Sequence, residues 1–280
     1  MSLSSLVGPV AKMKTRLADE LAMYSMPIGD ELVDMNALIG SSLRMEFRQQ
    51  INCVHCGRLT KKSFNQGYCY PCFQRLAQCD SCIVSPEKCH YFEGTCREPE
   101  WGESHCLIDH IVYLANSSGV KVGITRGTQV PTRWIDQGAV AALPIFRVSN
   151  RLQSGLIETL FKAHVADKTS WQAMLKGEPG EVDLAARRDE LTALCKSGIS
   201  ELQERHGIQA IQPINDVAVQ NIRFPVETYP VKVKSFNLDK DPLIEGTLLG
   251  IKAQYLIFDT GVINIRKYAG YHIELSSESL

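Results

Sequence analysis

The cysteines of this chain are concentrated in one short segment. Nine of the ten cysteines lie between Cys53 and Cys106, and the tenth is Cys195. Clustered cysteine pairs form disulfides in secreted proteins and bind metal ions in a reducing compartment. The first residues, MSLSSLVGPVAKMK, lack the basic start and apolar core of a signal peptide, so we expect a cytoplasmic protein. The cysteine-rich segment is therefore predicted to fold around metal ions.

The first four cysteines are spaced as in a zinc ribbon. Cys53 and Cys56 form one Cys-x-x-Cys pair, and Cys69 and Cys72 form another after a gap of twelve residues. Each pair places two thiolates on one tight turn, and two such turns complete the tetrahedral ligand set of Zn²⁺. The competing interpretation is a dithiol redox site at Cys69-Tyr-Pro-Cys72, which would require a βαβ unit that the sequence does not indicate. We therefore predict a structural zinc ion.

A second group of cysteines follows with a less regular spacing. It consists of one Cys-x-x-Cys pair and two single cysteines at intervals of six residues: Cys79, Cys82, Cys89 and Cys96. These four thiols predict a second structural zinc ion. Spacing alone leaves open whether His90 replaces Cys89 and whether Cys106 replaces Cys96, and His105 is a further substitute. Neither predicted site leaves an open ligand position, so both are structural and not catalytic.

Alternating strand and helix patterns predict an α+β fold: zinc-ribbon modules, a three-stranded sheet with flanking helices, and β-rich termini. Apolar residues make up 44% of the 280 residues and charged residues 22%, which excludes a disordered or collagen-like chain. No apolar run reaches the roughly 18 residues that a membrane span needs. The predicted segments are a β-rich N-terminal segment (1–50), a double zinc module (51–106), a sheet domain (107–170), a helical segment (171–212) and a β-rich C-terminal domain (213–280).

The individual strands and helices are predicted from residue periodicity and turn signals. Strands are expected over 43–47, 110–115, 120–125, 142–148, 254–258 and 262–266. Helices are expected near Pro131, over 154–166 and over about 181–206, where Gly207 suits a C-terminal cap. Because both ends of the chain are β-rich, we expect them to pack together into one barrel.

Chemistry-bearing residues occur in a recognisable order in the sheet domain. Ile111-Val112-Tyr113 ends in a tyrosine on the first strand, Lys121-Val-Gly-Ile-Thr125 forms the second strand, Arg133 falls on the next helix and Glu158 on a later one. This order resembles the GIY-YIG nuclease superfamily, in the branch whose second motif is written KIG or KVG. The resemblance covers about 60 residues and implies a three-stranded sheet with flanking helices and a metal-dependent phosphodiesterase activity.

The resemblance implies a role for each of these side chains. Hydrolysis of a phosphodiester needs a deprotonated water, and Tyr113 is expected to take that proton if a nearby cation lowers its pKa. Lys121 is expected to be that cation or to hold the water. Arg133 is expected to bind the scissile phosphate, and Glu158 to hold one Mg²⁺ ion.

Two further features of this segment bear on the site. The stretch between Thr125 and Arg133 is longer than usual in the superfamily, so Arg126 is an alternative counterpart of the phosphate-binding arginine. Gly123 is expected to let the backbone and a phosphate approach closely. The whole chain also resembles an uncharacterised cysteine-rich bacterial family, and that resemblance implies no activity.

The distribution of charge favours a nucleic-acid partner. The net charge of −1 excludes a histone-like basic protein, so any surface for nucleic acid must be a local patch. Six cations and one anion lie between Arg44 and Leu76, and seven cations and three anions lie between Lys121 and Lys168. Three aromatic residues near the first patch are expected either to stack on unpaired bases or to fill the core of the zinc module: Phe64, Tyr68 and Tyr70.

These observations together predict a metal-dependent nucleic-acid phosphodiesterase with structural zinc sites, acting on DNA or RNA. The alternative is a catalytically inactive, zinc-stabilised adaptor that binds nucleic acid or a protein.

Overall fold

The structure is a computed structural model that describes residues 5–165 and 170–277. Its strands, in chain order, are β1 (Leu6–Pro9), β2 (Lys14–Ala18), β3 (Leu21–Ile28), β4 (Glu31–Asp34), β5 (Ser42–Ile51), β6 (His110–Asn116), β7 (Val120–Arg126), β8 (Ala141–Val148), β9 (Ile211–Pro213), β10 (Gln220–Asn221), β11 (Leu243–Lys252), β12 (Tyr255–Phe258), β13 (Gly261–Asn264) and β14 (Tyr271–Ser277). Its helices are α1 (Tyr70–Arg75), α2 (Pro99–His105), α3 (Thr132–Asp136), α4 (Arg151–Lys162), α5 (Trp171–Leu175), α6 (Leu184–Leu194) and α7 (Lys196–His206). The predicted α+β class is confirmed.

The two ends of the chain meet in one antiparallel sheet of six strands, in the order β1-β14-β5-β11-β12-β13. The C-terminal strand β14 lies between β1 and β5, so N-terminal strands bond it on both sides. Every second residue at the start of β5 is buried, as its alternating sequence predicts. Within the described residues the outer strands β1 and β13 do not pair, so the ends share an open sheet and not the expected barrel.

A smaller sheet of strands β2, β3 and β4 packs on the same hydrophobic core. Its central strand, β3, buries Ala22, Tyr24 and Met26 on one face. These side chains belong to the same buried cluster as Met45 and Leu275 of the six-stranded sheet. The terminal segments are therefore one packed unit.

The central sheet is formed by β10, β8, β6 and β7 in that order, with β9 also paired to β8. Three adjacent strands of this sheet, β6, β7 and β8, are the three predicted strands, and they pair antiparallel. One face buries Val112 and Leu114 against helices α4, α6 and α7. The opposite face buries Tyr113 in the core that the terminal sheets form. Tyr113 thus lies where the two cores adjoin.

The helices differ in extent from the sequence prediction. Helix α4 covers Arg151–Lys162 and not 154–166, and residue 166 lies outside the described residues. The helix expected over 181–206 is two helices, because Cys195 has a non-helical backbone conformation between α6 and α7. Helix α6 begins after Asp183, whose carboxylate accepts hydrogen bonds from the backbone N–H groups of Ala185 and Ala186.

The segment between Cys53 and Cys106 contains the short helices α1 and α2 and a series of 3-10 turns, with only isolated β-bridges. Such a segment has little hydrogen-bonded sheet or helix to hold it together. Among residues 5–165 and 170–277, no helix has the length and apolar character needed to cross a bilayer.

Candidate functional site

Cys53, Cys56, Cys69 and Cys72 meet and fit a zinc site. Their sulfur atoms all lie within 4.8 Å of one another, and the Sγ atoms of Cys56 and Cys69 are 3.8 Å apart. The first pair lies on a turn closed by the Gly57 N–H, which donates to the Cys53 carbonyl at 2.9 Å. The second pair lies at the start of α1. The local spacing of two Cys-x-x-Cys pairs is thus sufficient to assemble a tetrahedral thiolate site.

The surroundings of these thiols favour metal binding over dithiol chemistry. Burial opposes ionisation of Cys53, but the backbone N–H groups of Cys56, Cys69 and His55 outweigh it and lower its pKa to about 6. Burial and the adjacent thiols raise the pKa of Cys72 to about 12. A redox motif uses two thiols, whereas here four form one compact group, as zinc requires.

The second cysteine group is arranged differently from its predicted ligand set. The wall of one cavity includes Cys82, Cys89, Cys96 and Cys106. Cys79 instead packs beside the first site, with Leu76 and the sulfurs of that site. Cys106 lines the cavity because α2 forms one side of it and Cys106 is the residue that follows this helix.

The aromatic residues near the first site largely serve its local packing. The Phe64 ring is 5.3 Å from the Tyr70 ring and 5.7 Å from the Phe73 ring, measured between centroids. Lys62 places its ammonium 5.3 Å from the centre of the Phe64 ring. Tyr68 is half-buried in the cluster of the zinc thiols. Tyr70 is 51% exposed and is the ring of this group with the most free surface.

Several cations of the two basic patches are already paired with carboxylates. Arg44 contacts Glu46 and Glu245, and Arg48 contacts Glu274. In the second patch, the Nε of Arg147 donates to Asp109 at 2.7 Å. Asp167 and Lys168, which the sequence count included, lie outside the described residues. The positive charge of the two patches is therefore partly neutralised.

Tyr113 is completely buried on β6, directly opposite Gly123 of β7. A Cβ atom on residue 123 would lie 2.7 Å from both Cζ and the hydroxyl oxygen of Tyr113. The missing side chain of Gly123 therefore makes room for the tyrosine ring. This differs from the sequence expectation, which gave that space to a phosphate.

The amide of Gln137 links Tyr113 to Arg133. Its oxygen accepts hydrogen bonds from Nη2 and Nε of Arg133 at 3.1 and 3.2 Å, and its nitrogen donates to the Tyr113 hydroxyl at 2.9 Å. Burial is the main cause that raises the pKa of Tyr113 to about 12; Arg133 acts in the opposite direction, and Glu158 and Asp136 add to the rise. The expected lowering by a nearby cation is thus present but smaller than the effect of burial.

The charge of Arg133 acts on three other half-buried cations. Burial, followed by the charge of Arg133, lowers the pKa of Lys121 to about 8. The same two causes lower the pKa of Arg266, just after β13. The pKa of Arg151, at the start of α4, is also lowered by burial and by Arg133, while Cys106 and Cys82 act to raise it. Elements far apart in sequence thus bring their positive charges together.

Glu158 supplies a carboxylate to the same region. It is buried on α4, and its Oε1 lies 3.4 Å from Nζ of Lys162 one helical turn later. Its charge contributes to the raised pKa of Tyr113, which places the two groups within electrostatic range. Glu158 is thus linked by its charge to Tyr113, while Lys121 and Tyr113 are linked by charge to Arg133.

Arg126, the alternative phosphate-binding arginine, occupies a different position. It lies opposite His110 in the strand register, at the far end of the β6–β7 ladder. Its charge acts to lower the pKa of both His110 and Cys106. Arg133, by contrast, acts on Tyr113 through its charge and is joined to it by the Gln137 amide. The geometry therefore favours Arg133 as the partner of Tyr113.

Comparison with known proteins adds one finding. A family described as "Protein of unknown function (DUF2797)" matches residues 40–273 of the chain. The chain belongs to the DUF2797 family. No curated protein and no solved structure matches it.

The match to DUF2797 covers the nine clustered cysteines, the central sheet and the cations around Arg133. The strands β1 to β4 lie before it. The family assignment agrees with the expected uncharacterised cysteine-rich family and leaves the GIY-YIG resemblance untested.

Sequence reasoning missed three residues of this site in the DUF2797 chain: Gln137, Arg151 and Arg266. Gln137 lies one helical turn after Arg133, so the spacing alone could have placed both on one face. Arg151 and Arg266 gave no local signal, because only the packing of α4 and of the terminal sheet brings them near Arg133.

Proposed function

We propose that this protein is a metal-dependent phosphodiesterase that acts on nucleic acid, with its zinc site serving as a structural element. The observation that carries the proposal is the charge interaction of Arg133 with Lys121, Arg151 and Arg266, together with the buried carboxylate of Glu158, whose charge acts on Tyr113. The GIY-YIG resemblance, carried by Tyr113, Lys121, Arg133 and Glu158, also supports it.

The electrostatics of the cluster point to an anionic ligand. Bringing like charges together in a partly buried setting is unfavourable, and a bound anion removes that cost. A phosphodiester carries one negative charge on two oxygens that a guanidinium can bind in bidentate fashion. Arg133 is suited to this task because Gln137 fixes the orientation of its guanidinium.

The pKa values distribute the proposed catalytic roles differently from the sequence-based expectation. With a pKa of about 12, Tyr113 holds its proton at neutral pH and acts by fixing Gln137 and, through it, Arg133. Lys121, whose pKa is about 8, is the side chain here that gives up a proton most readily near neutrality. We propose that Lys121, as a general base, takes the proton of the attacking water. Arg133 stabilises the charge that develops on the phosphate.

Glu158 is the residue that would hold Mg²⁺. This ion commonly binds through one or two carboxylates and substrate phosphate oxygens, and a single buried carboxylate beside a phosphate site fits that pattern. Among the described residues, Glu158 belongs to no group of three metal-ligating side chains, so water and substrate oxygens would complete the ligand set. When bound there, the ion would polarise the phosphate and assist the leaving oxygen.

The test is cleavage of plasmid DNA and of structured RNA with and without Mg²⁺. We expect metal-dependent cleavage that falls by about 100-fold or more in Arg133→Gln and Glu158→Gln, as for the loss of one charge-stabilising group. The matched control is Arg147→Gln, because Arg147 lies on the same sheet but is paired with Asp109 at the surface. An unchanged rate in both site variants would contradict the proposal.

The adaptor remains a second candidate for one specific reason. The buried hydroxyl and raised pKa of Tyr113 are unfavourable for a direct role in proton transfer. An adaptor would bind nucleic acid and lose affinity in Arg133→Gln, yet show no cleavage under any metal. Binding and cleavage measured on the same variants distinguish the two functions.

A further inference from the structure

The cavity between α2 and the 3-10 turns before it is the feature that the proposed function leaves unexplained. Four separate stretches of chain contribute thiols to its wall: Cys82, Cys89, Cys96 and Cys106. All four are free thiols. The rest of the cavity is lined by apolar groups, including Ile83 and Trp101, and by Asp80 and His90. Four thiols in the wall of one cavity supply the donor atoms of a tetrathiolate metal site, although no three of their sulfurs lie within 4.8 Å of one another.

Cys79 is not part of this set, although it forms a Cys-x-x-Cys pair with Cys82 in sequence. It packs with Leu76, Cys53 and Cys69 at the first site and does not line the cavity. Burial is the main cause that raises its pKa, and the side chain of Asn65 acts in the opposite direction. With four cysteines at the first site and four around the cavity, Cys79 is the one left over.

A mixed site offers a competing ligand set. Ligand atoms of Asp80, Cys82 and His90 lie within 4.8 Å of one another. The Asp80 carboxylate, however, is already bonded to Nε of Arg97 at 2.7 Å and to the backbone N–H of Ser81 at 2.6 Å. Nδ1 of His90 lies 2.8 Å from the Thr95 hydroxyl. A metal ion on Asp80 would have to displace Arg97, whereas the thiols have no such ion pair to give up.

The same turns form the surface on which α4 rests. Nη2 of Arg151 donates to the Ile83 carbonyl at 2.5 Å, and the Arg151 backbone N–H donates to the Cys106 carbonyl at 2.8 Å. At Gly155 the helix approaches so closely that a Cβ would lie 2.3 Å from the backbone nitrogen of Glu87. The segment around the cavity thus fixes the start of the helix that carries Glu158.

We propose that Cys82, Cys89, Cys96 and Cys106 bind a second structural Zn²⁺ ion, and that this ion holds the turns of residues 82–106 in the shape that seats α4. The segment has no sheet of its own to stabilise it, so a metal ion supplies the cross-link. Loss of the ion releases Arg151 and loosens the first turns of α4. The metal-binding part of this proposal does not depend on the proposed phosphodiesterase activity.

The first test is the zinc content of the full-length wild-type chain purified under reducing conditions, measured by elemental mass spectrometry. We expect two zinc ions per chain. One zinc ion per chain would overturn the proposal without the use of any variant. Iron with acid-labile sulfide in place of the second zinc would overturn the zinc assignment, because four thiolates also bind iron–sulfur clusters.

The second test compares Cys106→Ser with the matched control Cys79→Ser. We expect Cys106→Ser to lose one of the two zinc ions and Cys79→Ser to keep both. Hydrogen exchange should become faster in α4 of Cys106→Ser and stay unchanged in Cys79→Ser. Loss of zinc in Cys79→Ser together with full content in Cys106→Ser would overturn the ligand set in favour of the one based on sequence spacing.

Discussion

Gly123→Ala should destabilise the protein through a collision with the Tyr113 ring. The new Cβ would lie 2.7 Å from Cζ and the hydroxyl oxygen and 3.0 Å from Cε2, against ordinary contacts of 3.4–4 Å. The ring is fully buried and packs edge-on against Trp134, so it cannot simply swing away. Overpacking of this kind costs about 1–3 kcal/mol. Replacing a strand glycine by alanine returns about 0.5–1 kcal/mol of backbone entropy, which leaves a net loss of about 1 kcal/mol from the midpoints of the two ranges.

The assay is equilibrium unfolding in urea, with the melting temperature as a second readout, which should fall by about 2–4 °C per kcal/mol. Gly177→Ala is the control, because a Cβ there meets nothing within 4 Å. In a Tyr113→Leu background the penalty of Gly123→Ala should shrink, since the ring that causes the collision is absent. A penalty of the same size in both backgrounds, or none in either, would refute the argument.

Three other outcomes follow from the structure. Cys69→Ser should remove the zinc ion of the first site and expose the segment around it to proteolysis, and retention of the full metal content would contradict that ligand assignment. Lys121 must lose a proton to act as a base, and burial lowers its pKa to about 8. The cleavage rate should therefore rise with pH up to about 8 and then level off. A rate that falls with rising pH below pH 8 would exclude this role. Gln137→Ala should release Arg133 and slow cleavage by about 10-fold or more. Gln137→Glu should preserve the hydrogen bonds to Arg133 and recover part of the rate. Equal rates for both variants and wild type would show that the link through Gln137 is not needed.

Sequence patterns predicted those parts of the molecule that depend on neighbouring residues. Strands β6, β7 and β8 follow from alternation and turn residues, and the first zinc site follows from two Cys-x-x-Cys pairs. The second cysteine group shows the limit of such reasoning. Cys79 and Cys82 are three residues apart, yet they face different clusters, and Cys106 joins the cavity only through the placement of α2.

The electrostatics of the site depended on long-range packing and could not be predicted. Arg266 approaches Arg133 because the terminal segments share one sheet next to the central sheet. The sequence also gave no indication that Tyr113 is completely buried, and burial is what reverses the expected direction of its pKa. Residues that lie close in sequence could be placed together from their spacing, whereas their burial and the charges that surround them could not be predicted.

The most direct measurement of the central claim is a double-mutant cycle of Arg133→Gln and Glu158→Gln on the rate of nucleic-acid cleavage. If both side chains act on the same phosphate, either single change removes most of the rate enhancement, and the double variant should be slower than the slower single variant by no more than about 3-fold. Losses that multiply in the double variant, or a wild-type protein that cleaves neither DNA nor RNA, would contradict the account.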